Sequence, residues 1–154
     1  MQAVRKISVN ELELLFGLFD YNDPEDMLRE NTRDISEGRI NIFGLFLDDE
    51  LIGELHVSYA NEDERFAVRG RRAYLFAFRI NREHQGRGYG QFLMNEVMSA
   101  IAEDGYSEIT VGVEDDNEHA RYIYSKLGFT ELVGRMHEAY QGDEYDYNLY
   151  LKRI

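Results

Sequence analysis

Three glycines alternate with larger residues in the segment Gln85–Gly90, which reads Gln-Gly-Arg-Gly-Tyr-Gly. Glycine lets backbone N–H groups approach an anion with no side chain in the way. A helix-like pattern follows the segment, and the first turn of a helix offers free N–H groups at the positive end of its dipole. Arg87 adds a positive charge. The segment therefore predicts a site for phosphate or pyrophosphate, with a flexible turn as the alternative.

Two common nucleotide-binding patterns do not fit this loop. A P-loop needs Gly-Lys followed by Ser or Thr, whereas this loop ends in Gly90-Gln91-Phe92. The dinucleotide pattern G-x-G-x-x-G would require glycine in place of Gln91, and it usually follows the first strand of a domain. A nucleotide-binding protein is therefore the weaker hypothesis for the anion site.

Two predicted elements hold the glycine loop. Ala73–Ile80 is mostly apolar, which predicts a strand covered on both faces. Tyr89–Glu103 repeats apolar residues with the 3.6-residue period of a helix. Farther along, Asn117–Leu127 predicts a shorter helix, and Gly128 follows it where a left-handed cap belongs.

The rest of the chain predicts one sheet with mixed strand directions. Alternating or continuous apolar residues indicate strands, and helical spacing with capping residues indicates two early helices. The further strands are 4–8, 40–47, 51–59, 108–113, 129–138 and 145–152, and the early helices are 10–19 and 23–32. We expect a single α/β (α+β) domain over residues 1–154, with about seven strands and about four helices.

Composition limits the functions open to this chain. It has no cysteine, which excludes disulfides and a cysteine nucleophile. The 30 acidic and 17 basic residues give a net charge of −13, which disfavours nucleic acid and anionic membranes as partners and suits cationic substrates. No cluster has metal-ligand spacing, so we expect no metal. No apolar run has the length of a signal peptide or membrane helix, which favours a cytoplasmic protein.

The glycine loop resembles Q/R-x-x-G-x-G/A, a signature of the GNAT superfamily of acetyl-CoA-dependent N-acetyltransferases. The preceding Ala73–Asn81 is similar to that family's fourth strand. A second family signature follows at the expected distance. Its matching positions are Asn117, Ala120, Tyr124, Lys126, Gly128 and Phe129. The resemblance implies the GNAT fold over nearly the whole chain, with a splay between the fourth and fifth strands.

The same resemblance implies acetyl-CoA as cosubstrate and assigns residues to it. Backbone N–H groups of five loop residues would hold the CoA pyrophosphate: Arg87, Gly88, Tyr89, Gly90 and Gln91. Gln85 and Gly86 belong to the same cofactor-binding loop. Main-chain groups of Phe78 and Ile80, with Arg79 between them, would pair with the pantetheine arm. Asn117 would contact the pantetheine or the substrate, and Tyr124 would lie near the thioester sulfur.

Acetyl transfer to an amine needs a neutral amine, an oriented attack and a stabilised leaving thiolate. Tyr124 is the candidate acid, although its helical spacing equally suits a core tyrosine. Many family members carry an acidic residue where this chain has Phe76 or Ala77, so the base is open. Glu54 and His56 are candidates on a strand face that alternation predicts to be solvent-exposed. A water chain to bulk solvent is the other possibility.

We therefore predict transfer of acetyl from acetyl-CoA to a primary amine by direct attack in a ternary complex. The alternative is a non-catalytic acyl-CoA sensor or interaction module on the same fold. Acid clusters at 61–64, 114–118 and 142–144 are compatible with a cationic acceptor, such as a polyamine, an aminoglycoside or a lysine-rich peptide, or simply with solvated loops. Aromatic residues on the last strand, Tyr145, Tyr147 and Tyr150, are compatible with a homodimer, with packing in the chain's own core as the alternative for at least half of them.

Overall fold

The structure, a computed structural model, describes all residues from 1 to 154. Its strands are β1 (Gln2–Lys6), β2 (Ile40–Leu47), β3 (Glu50–Ser58), β4 (Arg72–Ile80), β5 (Glu108–Glu114), β6 (Glu131–Tyr140) and β7 (Asp143–Arg153). Its α-helices are α1 (Pro24–Ser36), α2 (Tyr89–Glu103) and α3 (Glu118–Lys126), and a 3₁₀ helix covers Val9–Gly17. None of these helices has the length and apolar character needed to cross a membrane.

The seven strands form one sheet in the order β1-β2-β3-β4-β5-β7-β6. Only β4 and β5 run parallel, and every other neighbouring pair is antiparallel. Parallel strands need a crossover connection, which α2 supplies between β4 and β5. The predicted mixed α/β sheet of seven strands and its order of elements are confirmed.

The segment after β1 differs from its prediction. The expected α-helix over 10–19 is a 3₁₀ helix whose N-cap is Ser8. Glu11 closes a capping box there, because its Oε1 accepts a hydrogen bond from the Ser8 backbone N–H at 3.1 Å. α1 begins as expected, with Asp23 as N-cap and Pro24 in the first turn, but it continues to Ser36.

Each face of the sheet packs against its own helices. On one face α2 buries four residues in the same apolar cluster as Leu55 and Val57 of β3. These four are Leu93, Met94, Val97 and Ile101. The 3₁₀ helix and α1 form a second cluster with Ile40 and Ile42 of β2. Because neighbouring strand residues point to opposite faces, the two clusters occupy opposite sides of the sheet.

A β-bulge interrupts β4 at its centre. Glu54 pairs with Arg79 and His56 pairs with Phe76, so two residues of β4 stand opposite one residue of β3. Ala77, one of the two, has a φ of +51°. This left-handed conformation costs a non-glycine residue on the order of 1–2 kcal/mol, and such strain is retained only where the surrounding structure imposes it.

The bulge coincides with the end of the β4–β5 ladder. The two strands pair from Arg72 with Glu108 to Leu75 with Val111, and the pairing stops before Phe76. A bulge bends its strand away from its former direction. The remaining half of β4, residues 76–80, therefore presents an unpaired edge toward β5, and the predicted splay between the fourth and fifth strands is confirmed.

The hairpin formed by β6 and β7 is fastened to the start of α1. Gln141, in the hairpin turn, exchanges two hydrogen bonds with Asp23: Nε2 donates to the Asp23 carbonyl at 3.1 Å, and Oε1 accepts from the Asp23 N–H at 3.0 Å. Asn22 Nδ2 also donates to the Gln141 carbonyl at 2.7 Å. We call these three bonds the hairpin latch. They join the last two strands to the helix on one face of the sheet.

The strain at Ala77 predicts a specific response to substitution. Ala77→Val should lower the free energy of unfolding by about 2 kcal/mol, because a β-branched side chain tolerates a positive φ poorly. Ala77→Gly should change it by less than about 1 kcal/mol. Denaturant unfolding measures both variants. Ala139→Val, on exposed β6, is the matched control and should be nearly neutral; equal losses in the two valine variants would contradict the assigned strain.

Candidate functional site

The glycine loop leaves the first turn of α2 without a side-chain cap. Gly88 is the N-cap residue, with a φ of +86°, and no side chain accepts a hydrogen bond from the first turn. No acidic residue lies in that turn either. In contrast, the Asp23 side chain caps α1 and the Asn117 side chain caps α3. Only α2 of the three α-helices therefore keeps its N-terminal N–H groups free for an external anion.

Close packing fixes this loop against the end of β4. A Cβ atom added at Gly90 would lie 3.2 Å from the Phe78 ring, so the glycine permits the approach of helix to strand. Gln85 Nε2 donates a hydrogen bond to the Ile80 carbonyl at 2.9 Å. Gly86, like Gly88, has a positive φ, which is +77°. The loop thus turns sharply and delivers the α2 terminus beside the unpaired half of β4.

These features fit the diphosphate and extended arm of a CoA thioester. The free helix terminus suits the diphosphate, and the open edge at residues 76–80 offers main-chain groups to an extended chain. The main chain of Arg79 belongs to this edge, but its side chain is directed toward Phe19 and Glu54. The Arg79 guanidinium carbon lies 3.8 Å from the Phe19 ring centre, and Nη1 lies 3.4 Å from Glu54 Oε1.

A cavity of about 480 Å³ opens where β4 and β5 diverge. It is lined by the unpaired half of β4, the end of β5, one face of α1, the start of α3 and the β6–β7 hairpin. The lining residues that carry polar groups include His56, Tyr74, Arg79, Asn117, Tyr124 and Tyr147, together with the acids Glu30, Asp34, Glu114 and Glu138. Of the sequence-predicted candidates, His56, Phe78, Arg79, Asn117 and Tyr124 therefore meet around one space, whereas Glu54 and Ile80 are not part of its lining.

Tyr124 lines this cavity from α3. Its ring packs edge-to-face with Phe129, the centroids 5.8 Å apart. Burial raises the pKa of the Tyr124 phenol to about 12, so the hydroxyl keeps its proton at neutral pH. The core-packing and functional interpretations of Tyr124 are thus compatible: the ring is packed, while the residue borders the cavity. Asn117 also lines it, and its Oδ1 accepts from the Ala120 N–H at 3.0 Å.

Glu54 and His56 form a buried pair, so the prediction that they face solvent was wrong. Glu54 is fully buried and His56 is 3% exposed, because the 3₁₀ helix and α1 cover this face of β3. Glu54 Oε1 lies 2.6 Å from His56 Nε2. Glu54 Oε2 and His56 Nδ1 have no hydrogen-bond partner. Since buried polar atoms are rarely left unpaired, the pair has capacity for a further partner, and His56 borders the cavity.

Most of the acidic residues that line the cavity could not be singled out from the sequence. Of the three predicted acid clusters, only Glu114 contributes a carboxylate to the lining. The others are Glu30 and Asp34 on α1 and Glu138 on β6. Glu30 and Asp34 are spaced i, i+4, which places them on one helix face. That spacing was readable from the sequence, but the contact of that face with the splayed strands depends on tertiary structure.

The tyrosines of β7 take part in this chain's own packing. Tyr147 is buried, and its ring lies against Gly112, where an added Cβ would approach to 2.6 Å. Its hydroxyl donates to Glu138 Oε2 at 3.1 Å. Tyr145 and Tyr150 are half-buried. The homodimer based on these rings stays a prediction, with less exposed aromatic surface available than the sequence suggested.

Comparison with known proteins agrees with this geometry. Residues 7–129 match a family model described as the acetyltransferase (GNAT) family. A ribosomal protein bS18-alanine N-acetyltransferase from Haemophilus influenzae is 33% identical over 60 residues, which cover 39% of this chain and 40% of that protein. The matched segments span 27% and 40% of the length of two curated relatives.

Solved structures share the fold over its full length. The ribosomal-protein-S18-alanine N-acetyltransferase from Escherichia coli superimposes with a TM-score of 0.76 at 18% identity, covering 100% of this chain and 94% of that one. The PaiA N-acetyltransferase from Thermoplasma acidophilum, in complex with coenzyme A, gives 0.66 at 20% identity, covering 100% and 99%. With its single seven-stranded fold and the match from Ile7 to Phe129, this chain belongs to the acetyltransferase (GNAT) family.

Proposed function

We propose that this protein transfers an acetyl group from acetyl-CoA to a primary amine by direct attack in a ternary complex. The observation that carries the proposal is the shared cavity between β4 and β5. It brings the open edge of β4, the protonated phenol of Tyr124 and the His56 ring to one space. In that order, these groups would orient the thioester for attack, donate a proton and accept a proton.

The donor would bind to backbone groups of two elements. Free N–H groups of the α2 start, at Gly88, Tyr89 and Gly90, suit the diphosphate of CoA. The unpaired edge at Phe78 and Ile80 suits the amides of the pantetheine arm, as an added strand would. Acetyl-CoA supplies the activated acetyl group as a thioester. Its approach to the acceptor along the splay needs no movement of the sheet, because the bulge at Ala77 already separates the strands.

The buried pair would replace the carboxylate that β4 lacks at Phe76 and Ala77. An alkyl ammonium must lose a proton before its nitrogen can attack, since it has no free electron pair. His56 Nδ1 has no hydrogen-bond partner and is buried, so it would accept that proton once the amine or one water reaches it. Glu54 holds the opposite ring nitrogen at 2.6 Å, which orients the imidazole and keeps a hydrogen on Nε2, so that Nδ1 carries the free electron pair.

Tyr124 would act on the thiolate that leaves when the acetyl group is transferred. The new N–C bond forms as the C–S bond breaks, and the electron pair of that bond leaves with sulfur. The proton that the nitrogen sheds as the amide forms balances the proton that the thiolate takes up. The Tyr124 hydroxyl keeps its proton at neutral pH, since burial raises its pKa to about 12, and it would donate a hydrogen bond to the sulfur as negative charge develops there and relay a proton to it. No acyl-enzyme is required, and the chain has no cysteine to form a thioester with the acetyl group.

The first test combines an amine panel with removal of one oxygen. The wild-type protein should release CoA from acetyl-CoA only when a primary amine is present. Tyr124→Phe should lower kcat by about 100-fold and leave CoA affinity unchanged, because the ring is retained. Tyr122→Phe, exposed on the same helix, is the control. CoA binding with no acetylation of any amine would instead support a non-catalytic acyl-CoA-binding module.

The proton acceptor can be tested by pH dependence. His56→Asn should lower kcat by about 100-fold near pH 7. The loss should shrink toward pH 10, because a growing fraction of an alkyl amine with a pKa of about 10 is then already neutral. Glu54→Gln should lower kcat by a smaller factor near pH 7, and this loss should also shrink toward pH 10. Acetyl transfer is followed by thiol release across the pH range.

His137→Asn provides the matched control for this series, since His137 is an exposed histidine outside the cavity lining. It should leave the pH profile unchanged. Thermal unfolding of each variant separates misfolding from a chemical defect. A His56→Asn protein that is folded and fully active near pH 7 would refute the role of His56 and favour a water chain to solvent.

A further inference from the structure

A row of three carboxylates lies along the face of α1 that borders the cavity. Asp26, Glu30 and Asp34 are spaced i, i+4, i+8, and like charges at this spacing repel one another. Arg29 forms an ion pair with Asp26. Arg39 Nη2 lies 2.7 Å from Asp34 Oδ1. The two outer carboxylates are therefore neutralised within the chain.

Glu30, in the middle of this row, makes no ion pair. It is half-buried and lines the cavity. Burial, and next the charge of Asp26, raise the pKa of the Glu30 carboxyl above its usual value. Arg33 and Arg29 on the same helix offset only part of this effect on the Glu30 pKa, so a further positive charge beside Glu30 would stabilise its carboxylate. The cavity's one arginine, Arg79, is occupied by Glu54 and by the Phe19 ring.

A second observation points to a ligand in the same cavity. The His56 side chain is 4% exposed and lines the cavity, yet its Nδ1 has no partner. This nitrogen is suited to one amine, as the proposed function requires. Glu30, on a different element, is suited to a separate cation. His56 and Glu30 together suit a ligand that carries an amine at one position and a second positive charge at another.

Aromatic rings add to the preference for cations. Besides Tyr124, five tyrosines line the cavity: Tyr21, Tyr74, Tyr140, Tyr145 and Tyr147. A tyrosine face attracts an ammonium group by about 0.5–2 kcal/mol, depending on its exposure to water. Tyr140 lies on the hairpin strand that the latch connects to the start of α1. A ligand ammonium at Glu30 would thus lie beside both a carboxylate and aromatic surface.

The hairpin latch favours a small ligand over a polypeptide. The bonds between Gln141 and residues 22 and 23 join the hairpin turn to the start of α1. Tyr21 and Tyr140, which flank this junction in sequence, both line the cavity. The latch therefore closes the cavity near the start of α1, and a short ligand fits such a bounded space more readily than an extended peptide.

We propose that the acceptor is a small alkyl diamine or polyamine, whose second ammonium is bound by Glu30 on α1. This inference rests on the proposed function for the role of the first amine, at His56. Asp34 and Glu138 extend the negative surface around the cavity, and the tyrosine rings pack against the alkyl chain. Recognition of the second charge would set the protein's preference among primary amines.

Equilibrium binding tests this inference independently of turnover. The protein with CoA bound is titrated calorimetrically with α,ω-diamines of three to six methylenes and with monoamines of matched length. At least one diamine should bind about tenfold or more tightly than its matched monoamine, a ratio typical of one added charge interaction. Glu30→Gln should weaken that diamine at least fivefold more than the monoamine. Glu62→Gln, the same charge change on an exposed loop residue outside the cavity, should alter neither.

Each contrary outcome has a distinct meaning. Equal affinity for diamines and monoamines, or equal weakening of both by Glu30→Gln, would overturn the second-ammonium site. Tighter binding of a short peptide with a free N-terminus or lysine than of any diamine would overturn it in favour of a peptide acceptor. Turnover is measured separately: a preferred diamine that binds but is never acetylated would retain this site and refute the proposed transfer.

Discussion

The unpaired edge of β4 is the constraint on which the site depends. Two residues of β4 oppose one residue of β3, and Ala77 adopts a left-handed φ to make this possible. The bend ends the parallel ladder with β5 after Leu75. Without that break, main-chain groups of 76–80 would pair with β5, and neither an edge for an extended ligand nor a cavity behind it would exist. Strain at one residue thus creates the space in which the other groups meet.

The distribution of charge follows from this geometry. The strand that lacks a carboxylate at Phe76 and Ala77 lies beside β3, which carries a fully buried glutamate joined to a histidine. Burial of an acid is costly unless hydrogen bonds compensate it, and Glu54 receives only part of that compensation from His56 and Arg79. The acids of α1 and β6 add negative charge on the same side of the sheet. Cations are therefore the ligands that this face can accommodate at least cost.

The sequence predicted the framework well because periodicity and capping are local. The limits of β2 and α2 agree with the prediction, and Asp23 and Pro24 start α1 as their residue types suggest. The glycine loop and Tyr124 were recognised as candidates because their motifs consist of residues close in the chain. The 3₁₀ form of the first helix, whose N-cap is Ser8, was not predicted from the local pattern.

The residues around the proposed acceptor amine could not be predicted from the sequence. The physical reason is different from that for the first helix. Alternation along β3 shows that Glu54 and His56 share a face, but it does not show what covers that face. The 3₁₀ helix and α1 cover it, and this turns an expected surface pair into a buried one. Likewise, Glu30 and Glu138 are 108 residues apart in sequence, and only the path of the hairpin across to α1 brings both to the cavity. Such contacts depend on tertiary topology, which single-sequence patterns do not encode.

Amide hydrogen exchange with and without CoA can show whether the splay between β4 and β5 receives the extended arm of CoA. Amides in two segments should gain protection on binding: residues 76–80 on the open edge of β4 and residues 87–91 at the start of α2. Amides of the paired half of β4, residues 72–75, should change little, because they are already bonded to β5. Protection confined to other regions, with 76–80 unaffected by saturating CoA, would show that the arm does not bind along the splay.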